Sequence, residues 1–185
     1  KEKEIKHLIE DPEAFLFDTL VDNLTTAIAG TDTDDSISMW EEEPVDMQTF
    51  IESSEYGAEK YNPTVEPPSG CRPTVLDLLN KMAEPNVRDV GLILGAGSGK
   101  GYLISRLITY YAYWALCLKN PQKILGLSSG DPIYLINIAY NEEQARNILF
   151  RYISECIKKN PWFNGKYEIL DKEIRLDKNI YIISG

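Results

Sequence analysis

Apolar residues recur at helical spacing in the first part of the chain and gather into short continuous runs in the second. Phe15, Leu16, Leu20, Leu24 and Ile28 lie about one helical turn apart, behind Asp11-Pro12-Glu13. That start places Asp at the N-cap, Pro at the first helical position and an acid in the first turn. The pattern predicts one amphipathic helix ending near Gly30. Residues 31–44 are acidic and polar and read as a linker. Val45 to Tyr56 predicts a short helix with Met47, Phe50 and Ile51 on one face. Pro63, Pro67, Pro68 and Pro73 keep residues 61–73 extended. Helical spacing returns at Val75, Leu76, Leu78, Leu79 and Met82.

From Asp89 the period changes. Val90-Gly91-Leu92-Ile93-Leu94 is an apolar run of the buried parallel-strand type. A glycine-rich turn follows, then a long helix from about Gly99 to Leu118. Ile133 to Ala139 predicts a second strand, and Asn141 to Lys159 a second helix with Asn141 as its N-cap. Tyr167–Leu170, Ile174–Leu176 and Ile180–Ser184 predict three more strands, partly joined by tight turns. Strand and helix alternating in this way define an α/β class with a mainly parallel sheet. The expected domain plan is an amphipathic helix over residues 1–30, an acidic linker and extended lead-in over 31–73, and an α/β domain over 74–185.

Charge sharpens that division. The 185 residues carry a net charge of -10. Residues 1–60 hold 17 Asp/Glu and 4 Lys/Arg, whereas residues 61–185 hold 12 and 15. The α/β part is therefore mildly basic, and the overall acidity does not exclude nucleic-acid contact. The acidic head serves solubility or docks on a basic partner. No apolar run approaches the roughly 20 residues of a membrane span. Cys71, Cys117 and Cys156 fit no zinc spacing, and an odd count without a signal peptide suggests a reducing cytosol.

The chemistry lies in Gly95-Ala96-Gly97-Ser98-Gly99-Lys100-Gly101. A glycine-rich loop between a buried strand and a helix lets backbone N–H groups curl around phosphate oxygens, beside the positive end of the helix. Lys100 then reaches the outer phosphates as a point charge. The usual phosphate-loop pattern is G-x-x-x-x-G-K-[ST]. Here Leu94 holds the first glycine position, and Gly101 stands where a hydroxyl normally meets magnesium. The dinucleotide fingerprint G-x-G-x-x-G fails, because Lys100 occupies its last glycine. Hydrolysis also needs an acidic pair at the end of a later strand. Glu168-Ile169-Leu170-Asp171 comes nearest and reads better as a hairpin. The chain begins at Lys1 and ends at Gly185, after a strand-like run. It reads as a piece of a longer protein whose magnesium acid and catalytic base lie beyond Gly185.

Gly95 to Leu103 resembles the deviant nucleotide-binding motif of large terminase subunits, the DNA-packaging motors of tailed bacteriophages. Leu116-Cys117-Leu118-Lys119-Asn120-Pro121-Gln122 with Gly126-Leu127, and Ile136-Asn137-Ile138-Ala139 with Asn141-Glu142-Glu143-Gln144-Ala145, resemble the segments that follow it. Glu43-Pro44-Val45-Asp46, Phe50 and Glu55-Tyr56 resemble the lead-in. The resemblance covers about residues 40–160. It implies a helicase-like P-loop ATPase domain using ATP and Mg2+ to translocate double-stranded DNA. It also implies a homo-oligomeric ring at the viral portal, a small terminase subunit as partner, and a place in the host cytoplasm at the procapsid. Family members often carry a basic residue where Ala96 stands, and Ser, Thr or Asp where Gly101 stands.

Other residues have plainer readings beside functional ones. Asn141 and Gln144 either touch nucleic acid or cap a solvated helix. Arg146, Arg151, Lys158 and Lys159 form a DNA-facing stripe or, more simply, a solvated face. Tyr110, Tyr111, Tyr113 and Trp114 read as helix packing, Pro161-Trp162-Phe163 as a plug at a helix end, and His7 as inert. Arg72, in Cys71-Arg72-Pro73, is a candidate adenine contact. The expectation is an ATP-binding motor domain in which Lys100 neutralises phosphate charge. The alternative is a nucleotide-gated binding module, or a helicase-like translocase, without hydrolysis in this fragment.

Overall fold

A computed structural model describes residues 39–87, 89–93, 95, 97–138 and 145–184. The helix expected over residues 11–30, Ala96, and the helix start at Asn141 and Gln144 lie outside the described residues. The first described element is α1 (Met47–Glu52), which buries Met47, Phe50 and Ile51, the face expected from the sequence. Asp46 caps it, accepting from the Thr49 N–H at 2.9 Å. Helix α2 (Pro73–Met82) begins on its proline, whose missing N–H costs nothing at a first turn. It buries Leu76, Leu79 and Met82.

Helix α3 (Lys100–Cys117) is the central post. Its buried side chains run from Leu103 through Thr109, Tyr110, Ala112 and Tyr113 to Leu116 and Cys117. The tyrosines do more than fill space. The Tyr113 hydroxyl accepts from the Val45 N–H at 2.9 Å, and Tyr110 donates to the Val45 carbonyl at 3.1 Å. Tyr111 donates to the Met82 carbonyl at 3.0 Å, at the end of α2. Aromatic bodies thus bury apolar area while their tips satisfy backbone groups of the lead-in. The short α4 (Pro121–Ile124) follows, starting again on a proline.

Strand β1 (Ile133–Asn137) opens the sheet. A π-helical turn, Ala145–Phe150, then runs into α5 (Arg151–Lys159), whose Ile153 and Ile157 are fully buried. Beyond it Phe163 is fully buried in a 3-10 turn, the plug at a helix end expected from Pro161-Trp162-Phe163. Strands β2 (Tyr167–Ile169), β3 (Glu173–Leu176) and β4 (Ile180–Ser184) complete the described sheet, in the order β1-β4-β3-β2. Ile174, Ile180 and Ile182 face the core and are fully buried.

Two expectations change. The described sheet is mixed, not mainly parallel: β1 pairs parallel with β4, but β4–β3 and β3–β2 are antiparallel. The hairpin read at Glu168–Asp171 produces the last pairing. The strand expected over Val90–Leu94 is not formed at residues 89–93. Ile93 is fully exposed there and Val90 is 42% exposed. An apolar run becomes a strand only by pairing its N–H and C=O groups, and no ladder reaches this stretch among the described residues.

Candidate phosphate-binding site

The loop before α3 is built by backbone shape. Gly97 has φ 74° and Gly99 has φ 83°, left-handed values that L side chains rarely adopt. Around both glycines the space is open, so nothing but the backbone requires them. The Ser98 N–H donates back to the Gly95 carbonyl at 3.4 Å, and the Leu103 N–H to the Gly99 carbonyl at 3.0 Å, closing the first turn of α3. Lys100, the first residue of that turn, donates from Nζ to the Gly95 carbonyl at 3.1 Å. The lysine head is thus folded back over the loop it is expected to serve. Gly95, Gly97, Ser98, Gly99 and Lys100 are all exposed.

Gly97 to Gly101 form one wall of a cavity of about 650 Å³. Tyr102 and Arg106 extend that wall along α3. The opposite wall comes from α5 and the turn before it, through Ile148, Tyr152, Glu155, Cys156 and Lys159. The structure therefore gathers Gly97, Ser98, Gly99, Lys100 and Gly101 as the sequence predicted, and it adds Lys159 from the basic stripe. Arg72 does not line this cavity; it is exposed at the N-cap of α2. Arg151 and Lys158 are exposed on α5, which fits a solvated face and a DNA-facing stripe alike.

Sequence reasoning missed the group that anchors this end of α3. Glu59, in the loop after α1, accepts from Arg106 Nε at 3.0 Å, and its other carboxylate oxygen pairs with a second Arg106 nitrogen. The Tyr102 hydroxyl donates to Glu59 at 2.6 Å, and the Arg106 guanidinium sits 3.9 Å over the Tyr102 ring. Burial, and then the Glu59 carboxylate accepting its hydroxyl, push the Tyr102 phenol well above the usual tyrosine range. The i,i+4 spacing of Tyr102 and Arg106 was a legible signal that they share a face. Nothing local marked Glu59, 47 residues from Arg106. Cys156 lies across from Ser105 at 3.8 Å, and burial pushes its thiol up, so it stays protonated near neutral pH.

The residues present do not fit direct protein coordination of magnesium. At Gly101 the side chain that normally carries a hydroxyl is missing. A Cβ built there would stand 3.1 Å from Cδ2 and Cε2 of the Tyr152 ring. Among the described residues the one acid in the cavity wall, Glu155, lies 3.9 Å from Arg151. Among the described residues no group of three His, Cys, Asp or Glu side chains is placed to hold a metal ion.

A glycine loop with left-handed turns, a lysine on the following helix and an α/β body define a P-loop domain. The model of one family, described as "Uncharacterized protein MJ0330, N-terminal P-loop domain", matches residues 17–185, and the chain belongs to that family. No curated protein and no solved structure matches the chain. The family match supports the P-loop fold and does not extend to large terminase subunits. Among the described residues no helix is long and apolar enough to cross a membrane.

Proposed function

We propose that the chain binds a nucleoside triphosphate, ATP, at the Gly95–Gly101 loop and belongs to an NTPase. The observation that carries this reading is the placement of Lys100 on the first turn of α3. It follows two left-handed glycines, on the wall of a cavity large enough for a nucleotide. The exposed loop offers amides and a cation to the outer phosphates without rearranging the core. Titration of the 185-residue chain with ATP tests it. Lys100→Ala removes a charge-assisted contact worth about 1.5–3 kcal/mol, so affinity falls about tenfold or more. Unchanged affinity in that variant contradicts the assignment.

The finer reading is the ATPase part of a packaging motor, translocating double-stranded DNA with a portal and a small terminase subunit as partners. Its support is the ordered series of segments over residues 40–160 and the exposed basic residues Arg151, Lys158 and Lys159 on α5. It expects ATP turnover that double-stranded DNA stimulates, in a salt-dependent way. A second reading, a nucleotide-gated module that does not hydrolyse, is favoured by Gly101 and by a cavity wall in which Glu155 is the one acid among the described residues. ATP binding without turnover, with or without DNA, selects it.

A further inference from the structure

In the usual phosphate loop the residue after the lysine places a hydroxyl on magnesium. Here that residue is Gly101, and the Tyr152 ring crowds the space its side chain would fill. The Tyr152 ring of α5 lies so close that a Cβ at position 101 would stand 3.1 Å from two ring carbons. Carbon atoms pack at about 3.5–4.0 Å, so the ring must retreat even for an alanine. A serine would bring its oxygen into the same space. The place beside the glycine is therefore narrowed by a ring from a second helix, and a side chain there would have to displace it. The ring is half-buried and rises from α5, whose Ile153 and Ile157 are fully buried against the core. Positive charge on the cavity wall comes from Lys100 and Lys159, beside Arg106, which is paired with Glu59.

We infer that Tyr152 substitutes for the metal-binding side chain, and that this loop binds a nucleotide through its amides and lysines with an affinity that does not depend on magnesium. The inference rests on the nucleotide-binding reading above and specifies its cofactor requirement. The phosphates carry their charge to Lys100 and Lys159, and among the described residues the loop offers no side-chain hydroxyl at position 101 to meet the metal.

The test is isothermal titration of the 185-residue chain with ATP, in magnesium and again in excess chelator. The expected dissociation constants agree within about twofold, where tenfold corresponds to about 1.4 kcal/mol. Tyr152→Phe keeps the ring and is expected to behave like the parent. Gly101→Ser combined with Tyr152→Ala opens the position and supplies the hydroxyl, and is expected to make ATP bind about tenfold tighter with magnesium than without. A parent chain that loses more than about tenfold affinity in chelator overturns the inference while leaving nucleotide binding intact. Gly101→Ser that gains magnesium dependence with Tyr152 still in place overturns it too, and so does a double variant that gains none. A parent chain that binds no ATP in either buffer overturns both readings. If the double variant does not fold, the comparison of the parent with and without magnesium still decides.

Discussion

The two ends of α3 have opposite environments. Toward its C-terminus Ala112 and Tyr113 are fully buried, Leu116 and Cys117 nearly so, and tyrosine hydroxyls hold the lead-in segment to the helix. At its N-terminus Gly97 and Gly99 border open space, the backbone takes left-handed turns, and Lys100 is exposed. One helix thus serves as core at one end and as a cavity wall at the other. Packing over-determines the first end. At the second, Tyr102 and Arg106 of the cavity wall are tied to Glu59 in the loop after α1. Stability and binding are therefore separable along a single element, and substitutions at the two ends should report on different quantities.

The largest effect is expected at the packed end. Tyr113→Ala removes a fully buried ring and the acceptor of the Val45 N–H, and should cost about 3–5 kcal/mol in urea unfolding. A loss under about 1 kcal/mol would mean this end is not the core. Next comes the anchor. The Arg106 and Glu59 side chains are only 16% and 25% exposed, so their pair is poorly screened. Glu59→Gln should cost about 1–3 kcal/mol by the same measurement and should weaken ATP binding through the displaced first turns of α3. Stability loss with unaltered affinity would show that the anchor does not position the loop.

At the open end, Gly97→Ala forces an L residue into φ 74°. It should cost about 1–2 kcal/mol of loop conformation and lower ATP affinity, although no neighbour clashes with the added methyl. A fully retained affinity would mean that the left-handed turn is dispensable.

The smallest effect near neutral pH belongs to Cys117. Burial pushes its thiol from 9.0 up to about 11. The folded state holds that proton more tightly than the unfolded chain does. Its contribution is complete below pH 9.0 and is lost as pH rises through about 11. Cys117→Ser should flatten the fall in stability across that interval and leave the profile at pH 7 unchanged; an equal slope in both proteins would refute the assignment.

What the sequence disclosed follows the same division. The 3.6-residue spacing in Val75–Met82 and the long run after Gly99 produced α2 and α3 because each element's periodicity matches its buried face. The turns around Glu168–Asp171 gave the β2–β3 hairpin for a local reason. Val90–Leu94 misled because an unbroken apolar run has no period and its strand depends on a partner elsewhere in the chain. The phosphate loop was legible because its chemistry is contiguous. Glu59 and Tyr152 were not, because they come from separate elements, and only the packing of α3 against its neighbours brings Tyr152 to the cavity and Glu59 to Tyr102 and Arg106.

The central claim, that the open end of α3 holds a nucleotide, is tested most directly by ligand-linked thermal stability. Saturating ATP at about 100 times its dissociation constant should stabilise the parent chain by about 2.7 kcal/mol. Lys100→Ala should unfold at the same temperature as the parent without ATP and gain markedly less from it. Equal stabilisation of both proteins, or of neither, would contradict the account.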